Sequence, residues 1–123
     1  MNDPKLVNRI KTYLCGQAEI QNPGERYIFR GEIGGVIVKD TQVSILFSWL
    51  AKGEGYPHIP TKWVKADPKP YDIDLEIYAV SDIGDGRLCL NSSIVGETTV
   101  LFPHNGSSLD TSKVEGLEQK LAR

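Results

Sequence analysis

The residues best suited to chemistry are crowded into one stretch of the 123-residue chain. From Lys52 to Pro70 the sequence reads KGEGYPHIPTKWVKADPKP, with Lys52, Lys62, Lys65 and Lys69 interleaved among Tyr56, His58 and Trp63. Ammonium groups meet phosphates, and aromatic rings stack on planar bases. The combination therefore suits a small anionic, nucleotide-like ligand or a single strand of nucleic acid. Lys52, Tyr56, His58, Lys62, Trp63 and Lys65 form the candidate ligand-binding set. Pro57, Pro60, Pro68 and Pro70 restrict the backbone and reduce the entropy lost on ordering it. The pattern predicts a long functional loop over 52–70. A competing role for Trp63 and Val64 is a short core strand, with the lysines as ordinary solvated charges.

A catalytic alternative rests on the two histidines, His58 and His104, each following a proline. Two imidazoles in one cleft would serve as acid and base in cleaving a phosphodiester, with a lysine stabilising charge on the phosphate oxygens. Their separation matches no recognised catalytic spacing. The serines offer no GxSxG elbow, and Cys15 and Cys89 stand far apart without CxxC or Cys/His spacing. Neither a disulfide framework nor a zinc site is indicated, and buried free thiols are expected.

Asp72 and Asp74 share one strand face at i and i+2, close enough to share a divalent cation through oxygen ligands. The simpler expectation is a solvated acidic face, which would meet a basic protein partner. Asp82-Ile83-Gly84-Asp85-Gly86 departs from a calcium loop, since Ser93 stands where the twelfth-position Glu belongs. It reads as a turn. No metal or cofactor is called for.

These residues need elements to position them. Asp3-Pro4 is a helix start, and Leu6, Val7, Ile10, Tyr13 and Leu14 recur at helical spacing up to a stop at Gly16, which predicts a helix over 4–15. Tyr27, Phe29 and Ile33 occupy one strand parity and Val36 and Val38 the other, with the switch at Gly34-Gly35 marking a bulge or bend. Lys39 to Gln42 reads as a hairpin turn. Val43, Ile45, Phe47 and Trp49 then alternate with Ser44, Leu46, Ser48 and Leu50 in a strand apolar on both faces, hence central. Tyr71, Ile73, Leu75, Ile77 and Ala79 alternate with Asp72, Asp74, Glu76 and Tyr78 in a half-buried strand. Strands around 87–90 and 98–102 follow. Ser112 with Glu115 has capping-box spacing, and Val114, Leu117 and Leu121 predict a short C-terminal helix over 111–121.

The fold class expected is therefore α+β and mainly β. It has five to six antiparallel strands in a bent sheet or small barrel, bracketed by two helices, as one domain over 1–123 with a β-rich core at 25–103. With 40% hydrophobic and 24% charged residues, the composition is that of a folded domain. The apolar run Val43 to Ala51 is too short to cross a bilayer, and Met1-Asn2-Asp3-Pro4-Lys5 lacks a signal-peptide pattern. No membrane partner is expected, and the cytoplasm is the expected compartment. Net charge is -2. Residues 1–70 carry ten basic and seven acidic side chains, and residues 71–110 carry one and seven. An isoelectric point near 5.6 argues against a dedicated duplex-DNA binder. The function expected is a non-enzymatic binding module for a small anionic ligand or nucleic acid, compatible with a homo-oligomer. The two-histidine phosphoesterase or nuclease and the acidic protein-interaction face are the alternatives.

Overall fold

The computed structural model describes residues 3–22, 24, 27–56, 59–66, 72–106 and 108–117, with the side chain of Tyr56 outside this set. The N-terminal helix forms as its cap dictates. Asp3 accepts a hydrogen bond from the Lys5 amide at 2.9 Å, and proline occupies the first turn. The helix is shorter than expected: α1 covers Pro4–Ile10, and a 3-10 turn, Lys11–Tyr13, completes the segment. The left-handed stop falls on Cys15, at φ 68°, instead of on Gly16. Gly16 has a different task, because a Cβ there would lie 2.1 Å from the Phe102 carbonyl oxygen.

Eight strands follow: β1 (Gln17–Asn22), β2 (Tyr27–Lys39), β3 (Gln42–Tyr56), β4 (Ile59–Lys65), β5 (Asp72–Gly84), β6 (Arg87–Ser92), β7 (Thr98–Phe102) and β8 (Val114–Glu115). The sequence pointed to five or six. β1 was hidden by its polar residues, yet Ala18 and Ile20 are buried on its inner face. β4 lies inside the segment expected to be a long loop. That expectation is corrected, since Ala51 to Tyr56 pair with Ile59 to Lys65 as an antiparallel arm.

The strand order is β2-β1-β7-β6-β5-β3-β4-β8, and β2 also pairs with β3. Pairings among β1, β2, β3, β5, β6 and β7 therefore run round in a circuit. β4 and β8 stand outside it, and β8 runs parallel to β4. The result is one strongly bent, mixed sheet, in place of a purely antiparallel sheet or a simple closed barrel.

Bulges produce the bending. Register shifts between Glu32 and Gly35 of β2 skip Gly34 there and Ser48 on β3, and another shift falls between Ile77 and Ala79 of β5. Each extra residue flips the inward parity, so Ile33 is followed by Val36 and Val38, Phe47 by Leu50, and Ile77 by Val80, which corrects the inward place expected for Ala79. The parity switch expected at Gly34-Gly35 is thus present. The inward residues make one buried cluster with Ile10 and Tyr13 of the N-terminal segment. Arg9 binds Asp82 at 2.7 Å and Tyr13 donates to the Gly86 carbonyl, which seats α1 on the β5–β6 hairpin. That hairpin turns through Asp85 and Gly86, both at positive φ, as Asp-Gly turns between twisted strands do.

The expected C-terminal helix does not form over the described residues of 111–121. Asp110 accepts from the Ser112 amide at 3.0 Å and caps a single 3-10 turn, Thr111–Lys113. The chain then extends into β8 and leaves it at Gly116, whose φ of 88° breaks any helix. Residues 118–121 of the expected helix lie outside the described residues.

Gly31 shows how close β2 and β3 run, because a Cβ there would lie 2.4 Å from the Trp49 carbonyl oxygen and 2.6 Å from Phe47 Cδ1. At Gly34 the nearest atoms are 3.5 Å away, ordinary contact. Gly31→Ala is expected to lower stability by about 1–3 kcal/mol, and Gly34→Ala by less than about 1 kcal/mol. Urea unfolding midpoints at unchanged slope check both.

Candidate functional site

The arm formed by β3 and β4 presents two faces. Cross-strand partners share a face, and successive residues alternate. Glu54 opposite Lys62 and Lys52 opposite Val64 put Lys52, Glu54 and Lys62 on one side. Ala51 opposite Lys65 and Gly53 opposite Trp63 put Trp63 and Lys65 on the other. Of the six residues expected to bind ligand, the structure thus divides four between two faces of one arm. His58 and the side chain of Tyr56 lie outside the described residues.

Trp63 does join a core, as the competing reading had it, but it is a second and separate one. Trp49, Ala51, Val114 and Leu117 are buried together, with the half-buried Trp63 and Leu109 packed against them. This cluster lies outside the strand circuit. The bulge at Ser48 turns Trp49 and Ala51 outward, and residues 109–117 fold back to cover them.

Covering the arm creates a groove. β8 pairs only with Trp63 and Val64, so the edge of β4 is uncovered by β8 at Lys62. A shallow groove of about 370 Å³ opens there, lined by Lys62, Trp63, Ser112, Lys113, Glu115 and Gly116 among others. It brings together two of the expected ligand residues, Lys62 and Trp63, with two that sequence reasoning missed, Ser112 and Lys113. Those were assigned to a helix. The available signal was Gly116, which stands inside that proposed helix.

Charges in the groove nearly balance. Lys62 Nζ lies 3.7 Å from Glu54 Oε1 and 4.0 Å from Glu115 Oε2, all three side chains largely exposed. Exposed pairs of this kind are worth about 0–1 kcal/mol each. An incoming phosphate therefore competes for Lys62 at small cost. The Asp110 carboxyl is held below its ordinary range by the Ser112 amide, then by the Ser112 hydroxyl, with a smaller contribution from the charge of Lys113. Ser112 is thus engaged with Asp110, which leaves Lys62 and Lys113 as the charged groups able to meet a ligand, beside the half-buried Trp63.

The other constellations are separate from the groove. His104 is exposed, and its Nδ1 lies 3.0 Å from the Cys15 carbonyl, an acceptor that fixes the proton on that nitrogen. His58 lies outside the described residues, so no cleft shared by the two histidines is described. Asp74 accepts from Ser44 Oγ at 2.6 Å on the outer face of β5, beside the exposed Asp72. Among the described residues, no three His, Cys, Asp or Glu side chains gather in a way that could hold a metal ion. Likewise, no helix there is long and apolar enough to cross a membrane. Comparison of the chain with protein-family models, curated proteins and solved structures gives no match.

Both cysteines are free, but the expectation that both are buried is corrected, since Cys15 is exposed and Cys89 half-buried. Burial pushes the Cys89 thiol up, away from the reactive thiolate. Iodoacetamide at mildly alkaline pH is expected to alkylate Cys15 well before Cys89, read by mass spectrometry of the digested protein. Equal rates would contradict the placement of Cys89 in the β5–β6–β7 sheet.

Proposed function

We propose that this protein is a non-enzymatic binding module that captures a small anionic, nucleotide-like ligand in the groove between β4 and residues 112–116. The observation that carries the reading is that Lys62, Lys113 and Trp63 line one groove at the edge of β4. Two ammonium groups would meet phosphate oxygens, and the indole would stack on a base. Because Glu54, Glu115 and Asp110 surround these lysines, long-range attraction is weak. Affinity comes from direct contact, and its dependence on salt is shallow. A single strand of nucleic acid engages the same elements through one phosphate and one base at a time. Lys52, on the same face of the arm as Lys62, extends the cationic surface along such a strand. A cytoplasmic location and assembly with further copies of the chain belong to the same proposal.

The test is a titration with a nucleoside triphosphate, inorganic phosphate and an oligothymidylate, followed by tryptophan fluorescence. Trp49 is 8% exposed, so quenching reports mainly on Trp63. Binding of the triphosphate or the oligonucleotide is expected to weaken roughly tenfold or more in Lys62→Glu and in Lys113→Glu. Absence of binding by all three probes at millimolar concentration, or affinity unchanged in both variants, would overturn the proposal.

A further inference from the structure

The outer face of the sheet is covered by residues 109–117 over only the second half of β3. Over the first half no described residue covers it. There the register aligns three rows across β2, β3 and β5: Gly35, Leu46 and Asp72; Ile37, Ser44 and Asp74; Lys39, Gln42 and Glu76. All these rows point away from the buried cluster, because Val43, Ile45 and Leu75 between them are fully inward. Ile37 is 67% exposed and Leu46 54%. Next to Gly35, which has no side chain to fill the space, they border an apolar hollow of about 230 Å³ that reaches Asp72.

We infer that this face docks a basic, amphipathic helix of a protein partner. Two columns run side by side, apolar on β2 and β3, and acidic on β5. Asp72, Asp74 and Glu76 stand about 7 Å apart along the strand. Ser44 donates to Asp74 and Thr41 donates to Glu76, so two of the three carboxylates are held in place on the face. The three strands span about 10 Å, the diameter of an α-helix. One helix face can set Leu or Ile into the hollow and reach Lys or Arg sideways to the carboxylates. An extended segment turns alternate side chains away and offers a single row to the sheet, which matches one column only. Charge decides the sign of the partner. In these rows Asp72, Asp74 and Glu76 stand against one cation, Lys39, so a helix with an acidic flank is repelled.

The probe is a synthetic helical peptide of roughly 18 residues, with Leu at helical spacing on one face and Lys along its flanks. A second peptide replaces Lys by Glu. Amide shifts of the labelled protein are expected to move at 35–39, 44–46 and 72–76 with the Lys peptide and to stay in place with the Glu peptide. Leu46→Asp and Asp72→Lys, both at exposed positions, are expected to keep the melting temperature and to weaken peptide binding roughly tenfold or more. Lys113→Glu, in the separate groove, is expected to bind the peptide as the unaltered protein does. Shifts centred elsewhere, binding of the Glu peptide, or unchanged affinity in both face variants would overturn the inference.

Discussion

The Gln17 side chain joins three segments that are far apart in the chain. Its oxygen accepts from the Leu109 amide at 2.9 Å and from Arg30 Nε at 2.8 Å, while its amide nitrogen donates to the Leu109 carbonyl at 3.0 Å. Gln17 is 6% exposed, so water cannot substitute for these bonds. Leaving such groups unpaired costs about 1–3 kcal/mol apiece. Arg30 extends the junction by pairing with Glu19 at 3.2 Å and lying 4.1 Å over the Phe102 ring. Burial pulls its pKa down, with Glu19 opposing that shift. Through this junction the start of the C-terminal segment is fixed to β1 and β2. Only then can Val114 reach Trp63 and the groove acquire its second wall.

The bulges make the junction useful. A strand without them would keep one face inward along its whole length. β3 instead sends Val43, Ile45, Phe47 and Leu50 to the inner cluster and Trp49 and Ala51 to the outer one. One strand thereby organises two cores on opposite faces, and the arm that continues from it projects beyond the circuit with its edge covered, among the described residues, only at Trp63 and Val64. Long arms with bare edges invite unwanted pairing. The two residues of β8 blunt that edge, and the space left beside them is the groove.

Local chemistry was legible in the sequence where it was self-contained. The Asp3-Pro4 cap, the Asp85-Gly86 turn, the alternation of β5 from Asp72 to Ile77 and the bulge at Gly34-Gly35 all depend on near neighbours in the chain, and each forms as its residues dictate. What could not be read depends on partners distant in sequence. β4 contains Pro60 and lysines, and it reads as a loop until it is seen paired with Lys52 to Tyr56. β8 is a strand only because Trp63 lies beside it, and its helical spacing of Val114 and Leu117 reflects two side chains turned onto one outer cluster. For the site, Lys62 and Trp63 were found from their chemistry. Ser112 and Lys113 were missed because nothing local shows that the tail folds back.

The Gln17 junction holds residues 109–117 against the arm and so builds the groove. Amide hydrogen exchange in Gln17→Ala tests it most directly. The Val114 to Leu117 amides are expected to exchange much faster than in the unaltered protein, while Ile45 and Leu101 in the inner core keep their protection. Unchanged protection at Val114 to Leu117, in a variant that otherwise folds, would contradict it.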